Sequence, residues 1–390
     1  MHRRVLIVQK AIPHYRRRFY DVLRELLSAE GVQLGVIYGQ LDATEAGRGG
    51  VVPLEWGAER RTRFLPVGGR TLYWQPCLDA ALRADLVIVE QASRLLVNYV
   101  LYGAQAVALT RLAFWGHGRT PTAAPPSRLG EAVKAALSRR VHWWFAYNDL
   151  GARTVRDLGF PPERITTVRN AIDTRALAVA AAAVTDGQRA ALRAQLGLRG
   201  DNVGIYVGAM YEEKRLPFLI ASCKLIREQV PDFEMLFVGS GPGRPGVAEA
   251  AARYPWLHDL GPRYGEELVA AYGLARLVLM PGRVGLGILD ALTLGVPMVT
   301  TAGACHAPEI EYLEDGVNGV VVRDALSPAA YAAAVAGLLR APDEIGQLRA
   351  GSRRSAALYS AEEMAARFAA GVIAALSAPS RARRHQRGRD

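Results

Sequence analysis

Cysteine is scarce in this chain. Its three cysteines in 390 residues, Cys77, Cys223 and Cys305, stand far apart and outside any CxxC or Cys/His ligand spacing, so neither a disulfide framework nor a zinc site is expected. Long apolar runs are missing as well. Nowhere do about 18 apolar residues follow one another, and the opening MHRRVLIVQK offers only the run VLIV before charge returns, so neither a membrane span nor a secretion signal is expected. No Asp-x-Asp pair occurs, which removes a common way of holding a divalent ion beside a phosphate. These absences point to a cytoplasmic protein that is at most peripheral on the inner face of the cell membrane.

What is present is enough for two ordinary cores: 390 residues, of which 50% are hydrophobic and 22% charged. The formal charge of +11 is uneven. Residues 1–175 hold 25 Lys and Arg against 15 Asp and Glu, and the tail 378–390 holds 5 against 1. That excess suits an anionic partner such as a membrane surface or a phosphorylated acceptor, although an Arg-favouring genome gives the same count. The basic residues lack the aromatic interleaving of single-strand grooves, so nucleic acid is not an expected partner.

Short apolar runs alternate with helical stretches in the first half: VLIVQK (5–10), QLGVIY (33–38), LVIVE (86–90), LAFWG (112–116), WWFAY (143–147) and ITTV (165–168). Continuous Val, Ile and Leu suit parallel strands covered on both faces. An Ala-rich stretch near 174–200 breaks the rhythm, which resumes with VGIYVG (203–208), FEMLFVG (233–239), ARLVLM (275–280) and VPMVTT (296–301). The pattern predicts an α/β chain of two doubly wound, Rossmann-like domains facing a central cleft: 1–175, a connector 176–200, 201–360, a helix 361–377 crossing back to the first domain, and a disordered basic tail 378–390. Ligands of such sheets sit at the carboxyl ends of the strands.

Three segments of the second half carry chemistry there. YVGAMYEEKRLPFLI sets Gly208 at a strand end, with Lys214 and Arg215 near a helix start, where a cation and free N–H groups neutralise a diphosphate. In LFVGSGPG, Gly239, Ser240 and Gly241 allow close backbone approach to a ligand. In LVLMPGRVGLGILDALTLGVPMVTT, a loop containing Arg283, Gly285, Leu286 and Gly287 opens a helix whose early turn bears Asp290, a candidate acceptor for ribose hydroxyls. Helix-dipole complementation is the plainer reading of Asp290.

In order and spacing, residues 203–319 resemble the retaining glycosyltransferases of GT-B fold in the large group-1, or family-4, type, which includes sucrose synthase and bacterial mannosyl- and glucosyltransferases. The resemblance rests on the strand-Gly-x5-Lys segment, the GxGP loop, Leu260-Gly261, and Pro281, Asp290, Ala291, Gly295, Pro297 and Val299. Two departures stand out: Ala209 where the family has Arg, and a loop between Pro281 and Asp290 about three residues short that lacks the first of two glutamates. The resemblance implies a donor site at Gly208, Lys214, Arg215, Gly239, Ser240, Gly241, Leu260, Arg283, Gly285, Leu286, Gly287 and Asp290. Arg215 or Arg283 would replace the missing cation, the amides at 285–287 would replace the missing glutamate, and Glu309 is a further candidate donor contact.

In the first half, AIPHYRRRFYDVL (11–23) follows the first strand where the family has a loop closing on its substrates, which makes His14, Tyr15 and Arg16 candidates for acceptor or membrane contact. VIVEQASRLLVNY places Glu90, Gln91 and Asn98 past a strand end, and LAFWGHG places His117 between two glycines, at a position resembling the family's histidine that meets the transferred sugar or the acceptor. Asn170 and Asp173 match an Asn-x-x-Asp element that leads to the hinge, and the Asn318-Gly319 pair reads as a turn signal.

The implied reaction is metal-independent transfer of a hexose from a UDP- or GDP-sugar to a glycan, lipid-linked or natural-product acceptor, with retention. Lys214 and helix-start amides would stabilise the departing diphosphate, Asp290 would hold the donor, and His117 would orient or polarise. No cofactor beyond the nucleotide sugar is implied. A nucleotide-sugar epimerase of the same fold, and a non-catalytic nucleotide-sugar-binding homologue, are the alternatives.

Overall fold

The computed structural model describes residues 3–41, 51–68, 70–118 and 136–380. The chain divides into two units, Met1–Asn170 with Ala361–Asp390, and Ala171–Ser360. All but the first three residues of the expected tail 378–390 lie outside the described residues.

The strands of the first unit are β1 (Arg3–Gln9), β2 (Val32–Tyr38), β3 (Ala58–Glu59), β4 (Arg63–Val67), β5 (Arg70–Trp74), β6 (Leu86–Glu90), β7 (Leu112–Gly116), β8 (Trp143–Ala146) and β9 (Ile165–Thr167). Seven of them form one parallel sheet in the order β3-β2-β1-β6-β7-β8-β9. The order turns round between β1 and β6, so the loops leaving those two strands diverge and open a crevice. The central strands are buried on both faces, which is why they read as unbroken apolar runs. β4 and β5 pair as an antiparallel hairpin that the sequence reading misses, because Pro66 interrupts RFLPV and most of that strand is exposed.

Helix Ala361–Ser377 packs on this unit. Phe368 stacks on Phe145 at 4.3 Å and 12° and meets Phe19 and Trp115 edge-on. His142 Nε2 lies 2.7 Å from the Ala375 carbonyl, and Arg111 donates to the Leu376 carbonyl at 2.6 Å. Gly371 has no room for a side chain, since a Cβ there would lie 2.8 Å from the Phe145 ring.

The second unit contains β10 (Val203–Val207), β11 (Glu234–Val238), β12 (Leu257–Gly261), β13 (Leu277–Leu279), β14 (Met298–Thr301) and β15 (Gly319–Val322), all parallel in the order β12-β11-β10-β13-β14-β15. Here the order reverses between β10 and β13. Neither β12 nor β15 is among the expected strands. LHDLG is half polar because β12 is an edge strand, and GVVV is only four residues long.

The Ala-rich stretch forms helices Thr174–Ala183 and Asp186–Leu196, the second opened by a Thr185/Gln188 capping box. Leu177, Ala180, Ala181 and Leu192 pack against Val184, Val269 and Ala270. The stretch 176–200 is therefore part of the second unit rather than a bare connector, and the boundary falls at Asn170, not at 175.

Candidate active site

The two loops that flank the reversal in the second unit are 208–215, after β10, and 280–287, after β13. They are fastened together. Arg283 N–H donates to the Glu213 carbonyl at 2.8 Å, and Lys214 Nζ donates to the Arg283 carbonyl at 2.5 Å. Gly282 is compelled by this approach, because a Cβ there would collide with the backbone of Glu213 and Lys214. Burial, with Arg283 as a second cause, pulls the Lys214 ammonium down to about 8. A cation held partly out of water in this way gains when an anion arrives.

Arg215 adopts φ 56°, stacks on Phe218 at 4.1 Å, and donates to the Ala325 carbonyl at 2.7 Å and to Thr301 Oγ1 at 3.2 Å. Its guanidinium pins loops of the protein, so it is not a ready substitute for the cation missing at Ala209. Arg283 is less committed: its side chain reaches the Cys305 carbonyl at 3.4 Å.

Helix Gly287–Leu294 begins where the 280–287 loop ends, and Gly295, at φ 66°, terminates it. Among the described residues, the N–H groups of Gly285, Leu286 and Gly287 donate to no protein acceptor, and the Asp290 carboxylate has neither hydrogen bond nor ion pair. Burial raises the Asp290 carboxyl from 3.8 to about 7. A Cβ at Gly285 or Gly287 would come no nearer than 3.8 or 4.0 Å to any protein atom. Protein packing does not require glycine at these two positions, whereas an approaching ligand would.

The Gly239-Ser240-Gly241 loop has a different cause. Gly208, Gly239 and Gly241 have φ of 149°, 141° and 145°. A Cβ on Gly239 would strike the Gly208 carbonyl, and one on Gly241 would lie 2.9 Å from Met210 N and O. Gly208 N–H donates to the Val238 carbonyl and Met210 N–H to the Ser240 carbonyl, at 3.0 and 2.8 Å. These glycines let two strand-end loops lie against each other, so packing alone already requires glycine at 239 and 241. Leu260 is half-buried in β12, whose Gly261 carbonyl accepts from Gly239 N–H at 2.9 Å.

His306 is the residue that sequence reasoning missed. Val284 N–H donates to its Nδ1 at 3.1 Å, and its Nε2 lies 2.8 Å from the Thr301 carbonyl. Since a carbonyl only accepts, the proton sits on Nε2 and the ring is neutral. Burial holds its pKa below 6.5, with Lys214 and Arg283 adding repulsion. Glu309, three residues on, is buried in the turn Pro308–Tyr312. Asn318 does more than mark a turn: fully buried, it donates to the Tyr312 carbonyl and to Ser355 Oγ, and accepts from Glu314 N–H.

In the first unit, the loops after β1, β6 and β7 carry the expected residues. His14 and Tyr15 lie on the turn His14–Arg16, their rings edge-to-face at 5.5 Å. Glu90 Oε1 accepts from Lys10 N–H at 2.9 Å, tying the two loops that flank the reversal. Gln91 donates to the Gly118 carbonyl at 3.0 Å. Asn98 is buried and donates to the Glu90 and Ala92 carbonyls, so it shapes the loop rather than facing a ligand. His117 lies at the end of β7 with its ring 4.2 Å from that of Tyr147.

The expected acceptor or membrane contact of Arg16 is not met. Arg16 is 6% exposed, donates to Asn170 Oδ1 at 2.5 Å, and sits 4.8 Å over the Trp115 ring. Its neighbours Arg17 and Arg18 pair with Glu55 and Glu362. Asp173 caps helix Thr174–Ala183 by accepting from Ala176 N–H. Among the described residues no helix is long and apolar enough to cross a membrane, and no cluster of His, Cys, Asp and Glu has the makings of a metal site.

Residues 201–341 match the family model described as glycosyl transferases group 1. Curated relatives include a D-inositol 3-phosphate glycosyltransferase of Thermobispora bispora, 27% identical over 225 residues, 54% of this chain and 50% of that one. Another is an alpha-D-kanosaminyltransferase of Streptomyces kanamyceticus, 29% identical over 145 residues, 35% of this chain and 36% of the relative. The chain thus spans about half or less of the length of these relatives. Among solved structures, Anabaena Alr3699/HepE in complex with UDP superposes with a TM-score of 0.69 at 15% identity, covering 95% of this chain and 99% of that one. Sucrose-phosphate synthase from Thermosynechococcus elongatus gives 0.63 at 15% identity, covering 94% and 97%.

Proposed function

We propose that this chain, which has the GT-B fold and matches the group 1 glycosyl transferases over residues 201–341, transfers a hexose from a nucleotide-diphosphate donor to an acceptor, with retention and without a metal. The observation that carries this reading is the set of groups at the β10/β13 reversal: three N–H donors at 285–287 and an Asp290 carboxylate, none with a protein partner among the described residues, and the half-buried Lys214 ammonium. N–H groups at a helix start, with a cation beside them, offset the charge that grows on a departing diphosphate. The Asp290 carboxylate would accept from the ribose hydroxyls and give up its proton as they bind.

UDP is the first donor base to test, because the Anabaena protein of similar fold is described in complex with UDP and with UDP-glucose. The acceptor, whether a glycan, a lipid-linked sugar or a small molecule, would meet His14, Tyr15, Glu90, Gln91 and His117 of the first unit. His117 is read as the group that orients or polarises. A basic first unit is compatible with work at an anionic membrane surface.

The test is to incubate purified protein with radiolabelled UDP- and GDP-hexoses and candidate acceptors, alongside the Lys214→Met and His117→Ala variants. Transfer of label that both variants lose by about tenfold or more supports the reading. An epimerised nucleotide sugar, or binding without turnover, overturns it in favour of the epimerase or the non-catalytic homologue.

A further inference from the structure

The loop that presents these N–H groups is held on one side by a residue to which the sequence motifs assign no role. His306 follows β14 and reaches across to the 280–287 loop. Its two ring nitrogens engage groups of opposite polarity, a backbone N–H donor at Nδ1 and a carbonyl acceptor at Nε2. Only the neutral tautomer with its proton on Nε2 satisfies both. The donor to Nδ1 is Val284, the residue immediately before the three N–H groups that have no protein partner among the described residues. Ala307 N–H returns a bond to the Val284 carbonyl at 2.8 Å, so both backbone polar groups of Val284 are fixed by the 306–307 step.

We infer that His306 is a positioning residue of the donor site, whose neutral imidazole aims the N–H groups of Gly285, Leu286 and Gly287 at the diphosphate by holding Val284. The inference rests on the proposed donor reading of those groups. A second proton on Nδ1 would confront the Val284 N–H with another donor, and the hydrogen bond that orients the loop would be lost. Two effects then oppose each other. An imidazolium adds positive charge near an anion, but Lys214 and Arg283 already supply that charge, and both disfavour the imidazolium. Release of the loop therefore dominates, and acid weakens donor binding. Other titrating groups are near enough to matter. Lys214 and Asp290 titrate at higher pH than His306, with Cys305 beside it in sequence and Glu309 buried three residues on.

The test uses the full chain and UDP-glucose, whose diesterified diphosphate has no group titrating near neutrality, with GDP-mannose as the second probe. Affinity is measured by calorimetry from pH 5 to 8 for the wild type, His306→Gln and His306→Leu, while nitrogen NMR of the imidazole reads its tautomer over the same range. The expected wild-type result is a limb below pH 6.5 in which affinity falls about tenfold, the factor that 1.4 kcal/mol represents. His306→Gln keeps an acceptor and a donor but cannot titrate, so it should bind within a few-fold of wild type at pH 7.5, and in an Asp290→Asn background, where the other group that releases a proton on binding is gone, it should remove the acid limb that His306 gives there. His306→Leu should bind about tenfold more weakly at every pH. An imidazole protonated on Nδ1 at pH 7.5, or, in the Asp290→Asn background, an affinity that tightens in acid or a His306→Gln profile that keeps the acid limb, overturns the inference, and the NMR result stands even where a variant does not fold. Should neither nucleotide sugar bind the wild type at pH 7.5, it is the donor reading itself that fails.

Discussion

Replacing Asp290 with asparagine should stabilise the protein by an amount that grows with pH. Burial raises this carboxyl from 3.8 to about 7, and no protein group within the described residues accepts its proton or pairs with its charge. For an acid whose folded pKa lies above its unfolded one, the folded state holds the extra proton. Below the unfolded value ionisation costs nothing. From there to about 7 the unfolded chain ionises while the folded chain resists, so stability falls as pH rises, and above 7 the cost is constant. At 1.36 kcal/mol per pKa unit the full cost is about 4 kcal/mol, of which about 2 kcal/mol has accrued by pH 5.5. Asparagine carries its own desolvation penalty, but that term does not vary with pH. The advantage of Asp290→Asn over wild type, read from urea unfolding, should therefore increase by roughly 2 kcal/mol between pH 5.5 and pH 8. An advantage that does not change across that range refutes the claim that this carboxyl is starved of partners. The same logic requires a nucleotide that brings hydroxyls to Asp290 to release a proton, which calorimetry in buffers of different ionisation enthalpy detects at pH 6.5.

The glycines separate into two kinds. Gly239→Ala should lower stability by at least ~2 kcal/mol in thermal melts, because its Cβ would strike the Gly208 carbonyl at a φ of 141°. Gly285→Ala should melt within about 1 kcal/mol of wild type, since its Cβ meets nothing closer than 3.8 Å, yet lose nucleotide affinity by about tenfold. Phe368→Ala should cost ~3–5 kcal/mol of first-unit stability, followed by the fluorescence of Trp115, whose ring lies 5.0 Å from that of Phe368. Lys214→Met should leave folding intact and reduce the salt-sensitive part of nucleotide affinity, checked by calorimetry at two ionic strengths.

The parallel strands were legible because burial on both faces leaves a contiguous apolar run, as in LVIVE and LAFWG. Edge and surface strands were not, since β12 and the β4–β5 hairpin need no such run. The candidate donor loops were legible through their glycines and Lys214, which the second sheet brings together at one reversal of strand order. Arg16 misled because three adjacent arginines past a strand end read as contacts for an anionic acceptor or membrane, whereas an aromatic cage and Asn170, 154 residues away, bury the first of them. His306 left no trace, because its role depends on a contact with Val284 across 22 residues of chain that no local pattern encodes.

The most direct measurement is a crystal structure of the protein with UDP bound, read for the position of the diphosphate. The diphosphate should accept hydrogen bonds from the N–H groups of Gly285, Leu286 and Gly287, with Lys214 Nζ beside it and the ribose on Asp290. A diphosphate bound elsewhere, with those N–H groups still unpartnered, would contradict the account.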